Sequence, residues 1–223
     1  MQAKEILNTE IAPLRGQDTV AEALHRMEDL DLDCLPIVDS TTRKLIGQIR
    51  TSELRRVEDP DAIVSDLELE EPVKVFKRQH IFEAGRLLLQ YELQIISVVD
   101  SEITFKGVIT MQSILETLPD MLNLVANGSI LTIQLEKVDL TLSEIVHLIE
   151  VEGAKILGLS VEQPRKEGEL FKVSIKINLR DATRITSALR RHDYDVIVDD
   201  ASRDVFGFDM ENRADELMKY IDM

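Results

Sequence analysis

Leu35-Pro-Ile-Val-Asp39 comes back 61 residues later as Ile96-Ser-Val-Val-Asp100. The stretch upstream repeats at the same spacing: Asp18-Thr-Val-Ala-Glu-Ala-Leu24 is echoed by Gln79-His-Ile-Phe-Glu-Ala-Gly85. Downstream, Gly47-Gln-Ile-Arg-Thr-Ser-Glu-Leu54 is matched by Gly107-Val-Ile-Thr-Met-Gln-Ser-Ile114, now at a spacing of 60. One residue has gone from the intervening turn, where an indel costs least. A period of this size means two copies of one supersecondary unit.

Each copy spells the same order of elements. An extended segment, 11–14 and 73–76, leads into a helix, 19–30 and 80–91. Thr19 and Glu22 have the spacing of a capping box. Val20, Ala23, Leu24 and Met27 then fall on one helical face. A short apolar strand follows, then a turn and a second strand. Asp39-Ser-Thr-Thr-Arg-Lys44 and Asp100-Ser-Glu102 supply turn residues. A helix, 51–57 and 111–118, closes each copy. One such unit of about 50 to 60 residues is marginal alone. The doubled β-α-β-β-α order therefore predicts two half-size units packed through their sheets.

Pro119-Asp120 is expected to end the second copy, with 121–128 as a linker. Ile130-Leu-Thr-Ile-Gln-Leu-Glu136 then alternates as a strand. Thr141-Leu-Ser-Glu144 has capping-box spacing and opens a helix with Ile145, Leu148 and Ile149 on one side. Gly153 suits its C-terminus. Segments 154–163 and 170–178 read as strands around a Pro-Arg-Lys-Glu-Gly turn. Asp181 caps a last helix, 182–192, and 194–198 is a final strand. The order β-α-β-β-α-β is the ferredoxin-like arrangement. The tail reads as an amphipathic helix carrying Leu217, Tyr220 and Ile221. The fold class is mixed α/β (α+β). The divisions are 1–58, 59–120, a linker 121–128, a third unit 129–199 and a tail 200–223.

The chain has 223 residues, enough to bury a core without staples. A single cysteine, Cys34, permits no internal disulfide and suits the cytosol. No apolar run approaches the roughly 20 residues of a membrane helix, and MQAKEILNTE carries no secretory start. A cytoplasmic protein is expected. The net charge of -16, from 26 basic and 42 acidic residues, repels phosphate backbones and anionic membranes alike. Neither nucleic acid nor membrane is an expected partner.

Leu35-Pro-Ile-Val-Asp39 followed by Gly47-Gln-Ile resembles a CBS motif, with a degenerate copy in the second repeat. The tandem resembles a Bateman module, and the third unit resembles an ACT domain. This order, over about residues 1–199, is similar to that of the bacterial AcuB-like acetoin-utilisation accessory proteins. The end, Asp215-Glu-Leu-Met-Lys-Tyr-Ile221, resembles the ends of some members. The resemblance implies a non-catalytic regulatory protein that senses AMP, ATP or another adenosyl ligand in clefts between the CBS units. It also implies small-ligand binding at paired ACT edges, a homodimer, and output to a protein partner that the sequence does not identify. No cofactor is required.

CBS modules that bind nucleotides often carry Gly-x-apolar-Thr-x-x-Asp, whose hydroxyl and carboxylate hold the ribose. Here Arg50 replaces the hydroxyl in the first copy, with a charge that suits a phosphate, and Glu53 keeps the carboxylate on a longer arm. In the second copy Thr110 is kept and Ser113 replaces the carboxylate. The first implied site is Ala12, Leu14, Leu35, Pro36, Arg50 and Glu53. The second is Val73, Val75, Ile96, Ser97, Thr110 and Ser113. The competing reading is that these residues simply start helices. In the ACT-like unit the loop after the first strand contains Val138, Asp139 and Leu140. It lacks the glycine that lets backbone amides approach a ligand carboxylate, and Asp139 repels one. A dimerisation platform is the favoured reading.

Catalysis finds no constellation. His25, His80, His147 and His192 are far apart, and Cys34 lies inside an apolar stretch as a buried, inert thiol. The carboxylates of 66–71 read as a solvated edge, and Asn127-Gly-Ser129 as a turn. The alternatives are a ligand-free structural or interaction module, or an enzyme of acetoin metabolism.

Overall fold

The computed structural model describes residues 1–198. The expected tail helix, with the final residue of the third unit, lies outside the described residues. The first copy runs β1 (Leu14–Arg15), α1 (Val20–Leu30), β2 (Cys34–Val38), β3 (Leu45–Arg50) and α2 (Thr51–Leu54). The second runs β4 (Lys74–Phe76), α3 (Ile81–Gln90), β5 (Ile95–Val99), β6 (Phe105–Thr110) and α4 (Met111–Met121). Thr19 Oγ1 accepts the Glu22 N–H at 3.2 Å, and the Glu22 carboxylate accepts the Thr19 N–H at 2.9 Å. That reciprocal cap sets the start of α1, and Val20, Ala23 and Met27 are buried along it. His80 takes the capping place in the second copy, its Nδ1 accepting the Phe82 N–H at 3.2 Å.

Three element ends depart from expectation. β1 starts at Leu14, not residue 11. Asn8 Oδ1 draws the N–H groups of Glu10 and Ile11 into a turn, and Pro13 has no N–H for a ladder. α2 stops at Leu54 because the chain tightens there, with Arg56 N–H on Glu53 and Val57 N–H on Leu54. α4 runs through Pro119, which forfeits its own ladder bond without stopping the helix.

Each copy forms a three-stranded sheet with the same pairing. β1 and β4 run parallel to β2 and β5, which pair antiparallel with β3 and β6. The register shifts at matching places, Ile37/Val38 and Val98/Val99. All five residues of β2 and of β5 are buried. Strands with no solvated side are covered on both faces. One core gathers Leu14, Met27, Leu35 and Ile49 with Ile95, Val99, Phe105 and Val108. The two turns meet symmetrically: Leu45 N–H donates to Ile103 and Phe105 N–H to Arg43, each at 3.0 Å.

The copies also exchange their leading strips. The short 3-10 turn Ala3–Glu5 precedes β1 in sequence yet packs on the second copy. There Ala3 N–H bonds Gln79, and Asn8 pairs with Val108 in both directions at 2.8 and 3.0 Å. The matching turn Val64–Asp66 precedes β4 yet packs on the first copy. There Val64 N–H bonds Asp18, and Glu70 pairs with Gln48 in both directions at 3.1 Å. Each half is therefore completed by chain that sequence assigns to the other.

The chain forms two compact units, Met1–Leu118 and a second beginning at Pro119. In the second unit β7 (Ser129–Leu135), α5 (Leu142–Val151), β8 (Ile156–Glu162), β9 (Phe171–Ile177), α6 (Thr183–Arg191) and β10 (Asp195–Val198) follow in order. The sheet order is β10-β7-β9-β8, with every neighbouring pair antiparallel. Alternate residues of β7 and β9, Leu131, Ile133, Val173 and Ile175, are fully buried with Ile145 and Ile149 of α5. Gly153 follows α5 at φ +86°, as a helix end requires. Thr141 precedes α5 without capping it. Its expected partner Glu144 lies instead beside Tyr194, on the wall of the same hollow. Asp181 does hold the start of α6, its carboxylate accepting the Thr183 N–H at 2.9 Å. Segment 121–128 lies on this unit's sheet: Asn123 Nδ2 donates to the Leu157 carbonyl and Lys176 Nζ to that of Leu124, both at 2.7 Å. Among the described residues no helix is long and apolar enough to cross a membrane.

Candidate functional site

Around the first copy's motif, β2 and β3 set Cys34 opposite Arg50, Leu35 opposite Ile49 and Pro36 opposite Gln48. Leu14 and Leu35 are fully buried in the core and Pro36 is buried, whereas Ala12 is exposed. The Ala12 carbonyl accepts from Arg26 Nη2 at 2.6 Å. Glu53 accepts the Arg50 N–H at 3.3 Å, so its carboxylate serves the start of α2. The Arg50 side chain is spoken for as well. Its Nε lies 3.3 Å from Glu70 Oε1, and its Nη2 donates to the Tyr91 carbonyl at 3.4 Å.

Glu70 overturns the reading of 66–71 as a wholly solvated edge. Its other oxygen accepts from Gln48 Nε2 at 3.0 Å, and Gln48 Oε1 accepts the Val73 N–H at 3.0 Å. Gln48 is only 6% exposed and has both ends of its amide satisfied. Val73, expected beside the second motif, is thus tied to the first. Gln48, Glu70 and Tyr91 were missed. The pointer to Glu70 was available: the repeat extends upstream, with Ala3-Lys-Glu matching Val64-Ser-Asp at the same spacing of 61.

Around the second motif, Val75 and Ile96 are buried in the core and Ser97 is 4% exposed. Thr110 and Ser113 bond to each other. The hydroxyls lie 2.8 Å apart, and Thr110 Oγ1 accepts the Ser113 N–H at 2.9 Å. This pair caps α4. The two motifs therefore differ in kind: an ionic network in the first, a neutral hydroxyl pair in the second.

Cys34 is 4% exposed and faces the first network. Burial pushes its thiol up to about 12; Arg50 opposes that shift, and Glu70, Asp33 and Glu53 add to it. Such a thiol is inert at neutral pH. A hollow of about 420 Å³ opens nearby, bounded by Met27, Asp33, Thr51, Arg55 and Gln94. Gln94 spans the copies there: its Oε1 accepts the Asp33 N–H at 2.8 Å, and its Nε2 donates to the Asp31 carbonyl at 3.2 Å.

In the second unit the loop after β7 forms a 3-10 turn, Lys137–Asp139. Val138 projects at 86% exposure, while Leu140 packs on the core. A hollow of about 410 Å³ lies against this loop, with Asp139, Glu144, Asp193 and Asp195 on its walls beside His192 and Tyr194. Partial burial and neighbouring Glu144 raise the Tyr194 phenol above its usual range. The hollow is electronegative.

Similarity to known proteins follows the first unit. The inosine-5'-monophosphate dehydrogenase of Methanocaldococcus jannaschii is 29% identical over 115 residues, which span 52% of this chain but only 23% of that enzyme. A CBS domain pair/ACT domain protein of Thermotoga maritima has 24% identity and a TM-score of 0.48, over 54% of this chain and 98% of its own. CBSX2 in complex with AMP has 18% identity and a TM-score of 0.45, over 53% and 96%. The family model that matches is that of the CBS domain, over residues 3–59, which covers the first copy together with its leading strip.

Proposed function

We propose that the first unit is a regulatory CBS pair that senses an adenosyl ligand such as AMP or ATP, with no catalysis of its own. The observation that carries this reading is the doubled sheet unit, one copy of which matches the CBS domain family over residues 3–59. Two copies related by symmetric turns create two like-placed edges, each ending in its helix-start motif, with Arg50 the last residue of β3 and Thr110 the last of β6. Arg50 and Glu53 would orient a ligand at the first, Thr110 and Ser113 at the second. A ligand that binds one packing of the copies better than another shifts the balance between them. The second unit, with its strand order β10-β7-β9-β8, reads as a ferredoxin-like, ACT-like platform for a homodimer that passes the signal to a protein partner. That combination is the one the AcuB-like resemblance implies.

Calorimetry with AMP, ATP and S-adenosylmethionine tests the sensing role. Saturable heat with at least one is expected, weakened by the Thr110→Val and Ser113→Ala double substitution if the second edge is used. Absence of heat with all three favours a second reading, a ligand-free interaction module. That reading has its own support: Arg50, Glu53, Thr110 and Ser113 all have internal partners.

A further inference from the structure

Arg50 and Glu70 form the only charged contact that joins a CBS-like motif residue of the first copy to its exchanged strip among the described ion pairs. The carboxylate is placed, not free to wander. Backbone bonds at 3.1 Å in both directions fasten Glu70 to Gln48, and the buried Gln48 amide grips Oε2 at 3.0 Å. Oε1 is left facing the Arg50 guanidinium. A guanidinium that meets an oxyanion on one side and a carbonyl, here that of Tyr91, on another has the partners it would seek in a phosphate.

The second copy isolates what is particular about this contact. Asn8 holds the same place on its strip, paired with Val108 where Glu70 pairs with Gln48. Its side chain turns back to the N–H groups of Glu10 and Ile11, and Thr110 stands where Arg50 stands. No charge crosses between strip and motif there. At the first copy the Arg50 guanidinium is held by the Glu70 carboxylate and the Tyr91 carbonyl. A phosphate entering there meets a carboxylate and a guanidinium already paired.

We infer that Glu70 is an internal occupant of the anion position at Arg50. The first cleft accepts a phosphate-bearing adenosyl ligand only by displacing this carboxylate, while a nucleoside without phosphate enters against no such competition. Displacement also loosens the 62–70 strip from β3, which gives ligand arrival a mechanical output. The inference rests on the adenosyl reading of the first unit.

Calorimetry on the full chain tests it, with adenosine, AMP and ATP as probes and wild type, Glu70→Gln and the Glu70→Gln, Arg50→Met double substitution as proteins. Glu70→Gln keeps the shape and an acceptor for Gln48, and matching melting curves confirm the fold. The expected result is AMP and ATP binding about tenfold tighter in Glu70→Gln than in wild type, adenosine binding within about twofold, and loss of the gain in the double substitution. Adenosine binding with unchanged AMP and ATP affinities overturns the role of Glu70 and leaves the adenosyl reading standing. No binding of any probe to any of the proteins overturns both.

Discussion

Asp39 and Asp100 hold equivalent turns in different ways. Asp39 Oδ1 accepts from the N–H groups of Thr41 and Thr42 and from the Thr42 hydroxyl, at 3.1, 2.6 and 2.7 Å. Asp100 accepts the N–H groups of Glu102 and Thr104 at 3.0 Å and pairs with Lys106 Nζ at 2.8 Å. The Lys106 ammonium, then the backbone donors, hold the Asp100 carboxyl well below the usual carboxylate range. A depressed folded pKa stabilises the fold above the unfolded value of about 3.9 and loses that contribution as pH falls through the folded value. Asp100→Asn should therefore lower the melting temperature at neutral pH, and the gap to wild type should begin to close below about pH 4 and keep narrowing as the pH falls toward the depressed folded value. A gap that stays constant over that range would contradict the assignment. These turn aspartates were readable in the sequence, because Asx turns are local. Glu70 was readable only as a place on a repeated strip and not as a contact, since its partners lie 20 and 22 residues away on β3 and local chemistry gives no hint of them.

Elements with self-contained signals came out as read: the Thr19 cap, the apolar stripe of α1, the short apolar runs of β2 and β5, the glycine after α5. Those that failed depended on neighbours. Thr141 makes no side-chain cap at α5, and the start of β1 moved because Asn8 and Pro13 spoil the ladder before Leu14. Glycines show the same division. Gly107, at φ +153°, lies where an added Cβ would stand 2.8 Å from the Asn8 carbonyl oxygen. Gly85 sits inside α3, where a Cβ would meet Ile114 Cδ1 at an ordinary 3.5 Å. Gly107→Ala should cost about 2 kcal/mol through strain and collision with the strip. Gly85→Ala should add about 0.5–1 kcal/mol by relieving backbone entropy in the helix. Urea midpoints measure both; equal shifts of one sign would show that the strip does not press on β6.

At the scale of the whole first unit, the exchange of strips ties stability to long-range partners. Removing residues 1–8 should strike the second copy, not the first. Hydrogen exchange is expected to accelerate at the amides of β6 around Val108 and at the start of α3, with those of β2 and β3 less affected. Uniform loosening, or loosening confined to the first copy, would count against the exchanged arrangement. The sequence displayed the repeat and its element order but drew the copies as consecutive blocks, because adjacency along the chain is the default reading of a duplication. The candidate sites were legible as motifs and opaque as chemistry. Which side chains are free depends on the strips, and those come from the opposite half.

The crossed strips make the two halves behave like links of a chain. A single break of the backbone near residue 59 would leave each fragment still holding a piece that the other needs, so the fragments would stay interlocked without a covalent joint. A lone half released by such a break would present an unfilled groove and a loose strip of its own, which is the recipe for pairing with a second copy of itself.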